Sequence, residues 1–140
     1  MKRFVSIVLV LCVFMSPVYA SAQTTESEIM PRWAVMTNVT NRFYISGTGT
    51  ATVTANYIAS TDSLQSIRIE TKIQKRLLLV LWNDVDGGQW TDSFTTKTGS
   101  FTHTLQLSKT GTYRAVFSVY AVGADGSVDD FELTKEYVYE

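Results

Sequence analysis

Residues 111–122 read G-T-Y-R-A-V-F-S-V-Y-A-V, and this run constrains the fold more than any other stretch. Tyr113, Ala115, Phe117, Val119 and Ala121 alternate with Arg114, Ser118 and Tyr120. A period of two sends one set to a buried face and leaves the other wet. The run is long, rich in β-formers and free of proline, as an inner strand must be. Whatever surrounds it must supply a second layer to cover Phe117 and its neighbours.

The rest of the chain repeats the same signal. A first strand is expected over residues 33–45, where Asn38 and Asn41 interrupt the alternation near the middle, with an irregularity or bulge around 39–42. Residues 50–59 set Ala51, Val53, Ala55 and Tyr57 against Thr50, Thr52, Thr54 and Asn56. Residues 66–75 place Ile67, Ile69, Thr71 and Ile73 inward, with Arg68, Glu70 and Lys72 outward. Segment 77–85, L-L-L-V-L-W-N-D-V, is apolar on both faces and is expected as a strand, buried on both sides or covering another surface. A helix over 77–82 is the alternative, but it is short and has no N-cap. A loop at 84–88, a short strand at 90–96 and a turn at 98–100 follow. Phe101, His103, Leu105 and Leu107 then share a face. Asp125-Gly126 marks a hairpin, because glycine supplies the positive φ of such turns. It leads to a last strand over 128–139. Seven or eight strands of this kind point to an all-β, antiparallel two-sheet sandwich.

The N-terminus has a different character. Met1-Lys2-Arg3 precedes an uncharged apolar run over 4–15, then Ser16-Pro17 and the small residues Ala20-Ser21-Ala22. These are the three parts of a secretory signal peptide, with cleavage after Ala20 or Ala22. The run of about 12 residues is too short for a bilayer span, which needs about 20. The expected organisation is a signal peptide over 1–22, a flexible lead over 23–31 and one sandwich domain over 32–140. No membrane span is expected after cleavage, and the product is expected outside the cell or at its envelope.

Cys12 leaves with the signal, so the mature domain has no disulfide and no cysteine-held metal. Removing Lys2 and Arg3 lowers the basic count from 12 to 10 against 13 acids, a net charge of about −3. That balance excludes a nucleic-acid binder that relies on a basic stripe.

The G-T-Y-R-A-V-F run resembles the penultimate strand of immunoglobulin-like domains, with Tyr113 in the position of the tyrosine corner. Ala115 stands where antibody-type domains carry their second disulfide cysteine, and no tryptophan lies where their third strand would pack on it. Several stretches are together similar to a group of small secreted proteins of Gram-positive bacteria known only as domains of unknown function. They are Arg32-Trp33, Gly49-Thr50-Ala51, Ile73-Gln74-Lys75, Trp82 or Trp90, and Gly111-Thr112-Tyr113-Arg114. That resemblance implies a fold and a compartment, and no activity.

Candidate chemistry is sparse. His103 is the single histidine, and its parity with Phe101 and Leu105 assigns it to packing as a neutral imidazole. No serine stands in a nucleophile-elbow context. Asp84 and Asp86 offer calcium two carboxylates where it takes about six to eight oxygens, so a solvated turn is expected. Asp129, Asp130 and Glu132 read as a charged edge that blocks pairing between sheets. Trp90 and Tyr120 are the candidate ligand-binding residues, as a stacking platform for sugars. No catalytic residue, cofactor or metal is expected. The resulting expectation is a secreted, non-catalytic binding or adhesion-type module for a protein or carbohydrate. The alternatives are a self-associating envelope protein using 77–82 and, behind it, a small secreted hydrolase.

Overall fold

A computed structural model of the chain describes residues 33–60 and 64–140. The proposed signal peptide, the whole of the lead and Arg32 lie outside the described residues. The strands are β1 (Met36–Ile45), β2 (Thr50–Ala59), β3 (Leu64–Arg76), β4 (Trp82–Phe94), β5 (Thr98–Gln106), β6 (Gly111–Gly123) and β7 (Val128–Tyr139). They form two antiparallel sheets, β1-β2-β5 and β4-β3-β6-β7. The chain is therefore an all-β two-sheet sandwich, as the alternation required.

The inner strands follow their sequence pattern closely. On β6, Tyr113, Ala115, Phe117, Val119 and Ala121 are buried, and on β3 Ile67, Ile69, Thr71 and Ile73 oppose them in register. The sandwich interior contains two clusters. One joins Phe43, Ile45, Val53, Ile73, Tyr113 and Phe117. The other joins Val35, Met36, Tyr57, Ile67, Ile69 and Val119, at the opposite end. Full burial of a side chain such as Phe117 is worth ~1.5–3 kcal/mol, so these two clusters carry most of the domain's stability. The small Ala51 and Ala55 of β2 leave room for bulkier neighbours from the facing sheet.

The edges depart from expectation. Trp33 precedes β1, stacked on Phe131 at 4.6 Å, and the irregularity of β1 falls between Met36 and Asn38 instead of near 39–42. Residues 77–81 do not form a strand: they make the tip of the β3–β4 hairpin, closed by Leu77 N–H donating to Leu81 O at 2.9 Å. The expected loop at 84–88 lies inside β4, as a bulge in which residues 85–88 sit opposite Ile73 alone. Gly88 packs on Ile73 and Leu105 there. Residues 98–100 are strand, not turn, because Tyr57 lies directly across Gly99; a Cβ on Gly99 would come within 2.5 Å of that ring. The Asp125-Gly126 hairpin is present, with Gly126 at φ 84°.

The ends of the sandwich differ in what they hold. The 46–49 turn, the 77–81 tip, the 107–110 connection and the end of β7 share one end, as the pairing of Lys75 with Tyr113 and Gly111 with Tyr139 requires. The start of β1 is at the other end. Asp129 of β7 is buried there, where its carboxylate accepts N–H bonds from Ala34, Val35 and Met36 at 2.7, 2.8 and 2.7 Å. A residue expected to guard a sheet edge instead ties the first strand to the second sheet.

Candidate functional site

Side chains with chemical potential gather at two places. The first lies between the sheets, where the edge strands β4 and β5 face each other. Because Ile69 pairs with Asp92 and Thr71 with Trp90, both β4 residues point inward. His103 points inward from β5. Its Nε2 donates to Asp92 Oδ2 at 2.7 Å, and the side chains are 24% and 21% exposed. Trp90 stacks on the imidazole with centroids 4.9 Å apart and planes 3° from parallel. Phe101 flanks the ring at 5.3 Å.

This arrangement orients an imidazole, and among the described residues no hydroxyl or thiol is hydrogen-bonded to it. Catalysis by a histidine–carboxylate pair needs a hydroxyl or thiol within hydrogen-bond reach of the other ring nitrogen. Aromatic rings fill the space beside it instead. The cluster reads as a polar clasp between sheets. His103 lines the interior on the face its parity indicates, and its polar partner is Asp92, whose inward parity on an edge strand hid it among polar residues 91–93.

The second place is the β3–β4 tip. Leu77, Leu78, Leu79, Val80 and Leu81 are 55%, 65%, 91%, 82% and 52% exposed. Five consecutive aliphatic side chains thus stand in water on a convex hairpin end. At its base, Trp82 is held between two guanidinium groups, Arg76 at 4.6 Å and Arg114 at 4.4 Å. Arg76 also pairs with Glu136 at 2.8 Å. Arg114 Nε donates to Gln74 Oε1 at 2.8 Å, and Gln74 Nε2 donates to Asp84 Oδ1 at 2.6 Å. Lys75 lies over the ring of Tyr113 at 5.4 Å. The tip therefore stands on a rigid platform of stacked and hydrogen-bonded side chains.

Beyond the platform, the outer face of the second sheet carries a shallow, polar depression of about 410 Å³, lined by Glu70, Lys72, Asp84, Gln89, Thr91 and Ser118 among others.

The two candidate platform aromatics are not brought together. Trp90 is committed to His103 between the sheets, while Tyr120 points outward from β6 with Arg68 over its ring at 5.5 Å. Asp84 is occupied by Gln74 and by Gln89 Nε2 at 3.1 Å. Among the described residues no three His, Cys, Asp or Glu side chains converge to hold a metal ion. The exposed tip corresponds to the interface alternative for 77–82 and not to the buried strand expected there. Its signal was an apolar run between Lys75-Arg76 and Trp82, at the midpoint between two alternating segments.

No family model matches the chain, and no curated protein matches it. Among solved structures it is similar to a crystal structure from Bordetella pertussis that carries the provisional name ApaA. The identity is 14% and the TM-score 0.39, over 74% of this chain and 93% of that one.

Proposed function

We infer that the protein is a secreted, non-catalytic binding or adhesion-type module that meets its partner through the apolar tip of the β3–β4 hairpin. The observation that carries this reading is the exposure of five adjacent aliphatic residues on a hairpin whose first strand, β3, is packed into the core through Ile67, Ile69 and Ile73. Large apolar side chains clustered in water are costly to maintain and mark interaction sites far more often than isolated ones do. The start of the chain, with Lys2-Arg3, an apolar run and Ala20-Ser21-Ala22, supports export.

The sandwich itself is read as immunoglobulin-like. The three-plus-four strand arrangement supports this, as does Tyr113, whose hydroxyl donates to the Lys109 carbonyl at 2.6 Å, the bond that defines a tyrosine corner. Domains of this build present their hairpin ends and outer faces to partners, and the rigid Arg76–Trp82–Arg114 stack suits such a role.

The test is sedimentation of the purified mature domain with washed cell envelopes. The wild type should co-sediment, and Leu79→Ser/Val80→Ser should remain in the supernatant while keeping its thermal midpoint. Equal partition of the two proteins overturns the reading. The self-associating alternative uses the same tip, and sedimentation equilibrium separates it: a concentration-dependent oligomer lost in the variant would favour that alternative.

A further inference from the structure

We propose that the partner of the tip is an anionic lipid surface, into which residues 77–81 insert while the basic and aromatic residues at the base lie at headgroup level. The proposal deepens the binding reading and rests on it.

Shape is the first argument. A partner protein with a groove would suit a partly polar ligand, whereas Leu77, Leu78, Leu79, Val80 and Leu81 present no polar side chain at all. The tip is convex and only five residues long. A stable pairing of two copies ordinarily takes roughly 20–30 residues a side, about 800 Å² each, which a tip-to-tip contact of this size does not approach. A bilayer imposes no such requirement, because it closes around whatever is inserted.

Depth is the second. Two residues on either side of the turn, at about 3.3 Å per residue, reach about 7 Å. Interfacial apolar segments bury themselves by about 5–10 Å into the headgroup and acyl boundary. At that depth backbone groups need either water or an internal partner. The tip supplies two internal bonds, Leu77 N–H to Leu81 O at 2.9 Å and Leu81 N–H to Leu78 O at 3.3 Å.

The base of the tip is the third. Tryptophan and basic side chains concentrate where hydrocarbon meets headgroups. Trp82 with Arg76 and Arg114, and Lys75 beside Tyr113, occupy that level immediately behind Leu77 and Leu81. The acids at this end are Glu136, paired with Arg76, Asp84, hydrogen-bonded by Gln74 and Gln89, and Glu140, which follows Tyr139. Lys75, Arg76, Lys109 and Arg114 stand against these three acids, two of which are already engaged, and anionic headgroups would complement the basic side chains.

The experiment is flotation of the mature domain with vesicles of phosphatidylcholine alone and with added phosphatidylglycerol. The wild type should float with the anionic vesicles, and Leu79→Asp/Val80→Asp should float about tenfold less or worse. Leu79 and Val80 face solvent, so the variant should retain its strand spectrum. Leu79→Trp gives an independent readout that preserves apolar character: its emission should be quenched by lipids brominated near the headgroups. Absence of flotation with anionic vesicles, or flotation unchanged in the Asp variant, overturns the proposal. Equal flotation with neutral vesicles overturns the part given to the cations. Binding to envelopes without binding to vesicles overturns the lipid partner and leaves the binding module standing; binding to neither removes both.

Discussion

His103 Nε2 lies 2.7 Å from Asp92 Oδ2, and this bond crosses between two sheets at the side where β4 and β5 are both edge strands. Among the described residues neither backbone has a further strand to pair with there, and side chains bridge the gap. The pair is mostly shielded from water by Trp90 and Phe101, which strengthens the bond and raises the cost of leaving one partner alone.

Removing one partner should therefore cost more than removing both. His103→Leu preserves bulk but strands the Asp92 carboxylate, for an expected loss of about 1–3 kcal/mol. Asp92→Leu should cost a similar amount. The double substitution should recover much of either loss, because two apolar side chains of suitable volume satisfy each other. Urea denaturation of the four proteins measures the coupling. Strict additivity would show that the contact is idle.

Asp129 makes the second prediction. One buried carboxylate accepts three backbone N–H bonds, and hydrogen bonds to charged groups are worth about 1.5–3 kcal/mol each when a partner is lost. Asp129→Ala should destabilise the domain by about 3 kcal/mol or more, with Asp129→Asn intermediate. Amide exchange at Ala34, Val35 and Met36 should accelerate in both. An unchanged denaturation midpoint would contradict the role assigned to this residue.

Tyr113 supplies a prediction that depends on pH. Tyr113→Phe loses the 2.6 Å bond to Lys109 O and should cost about 1 kcal/mol. Burial, and then the nearby Tyr139, push the Tyr113 phenol above its ordinary value. The folded chain thus holds this proton more tightly than the unfolded chain, where tyrosine titrates near about 10. The associated stability is complete below that pH and is lost as pH rises through the folded value. Tyr57 behaves the same way, since burial outweighs its bond to Thr96. Stability measured from about pH 8 to about pH 11 should fall in the wild type and fall less steeply in Tyr113→Phe. Identical slopes would refute the linkage.

The inner strands were legible because each has one face that must be buried and a neighbour on both sides. The bounds of β2 are those read from its alternation, and β3 and β6 differ by two residues or fewer at each end. The edges were not legible. β4 carries Asp84, Asp86, Gly87 and Gly88 inside a bulge, and such residues in sequence look like a loop. The aliphatic residues at 77–81 look like core, because apolar composition states a preference for burial and says nothing of whether a partner surface is present to meet it. Trp90 was singled out and Asp92 was not; the first is conspicuous by type, while the second becomes meaningful only once strand parity aims it at His103.

The Asp129 clasp also determines how the domain would respond to force. β1 and β7 both run from the end that holds Asp129 toward the end that holds the tip. Traction on the chain at Trp33 and at Tyr139 would therefore pull these strands in opposite directions along their shared axis. The three N–H bonds to one carboxylate would have to rupture nearly together before β1 could slide, instead of opening in succession as a peeled hairpin does. A simultaneous, load-sharing fastening at this end would let the domain remain folded while it is being pulled.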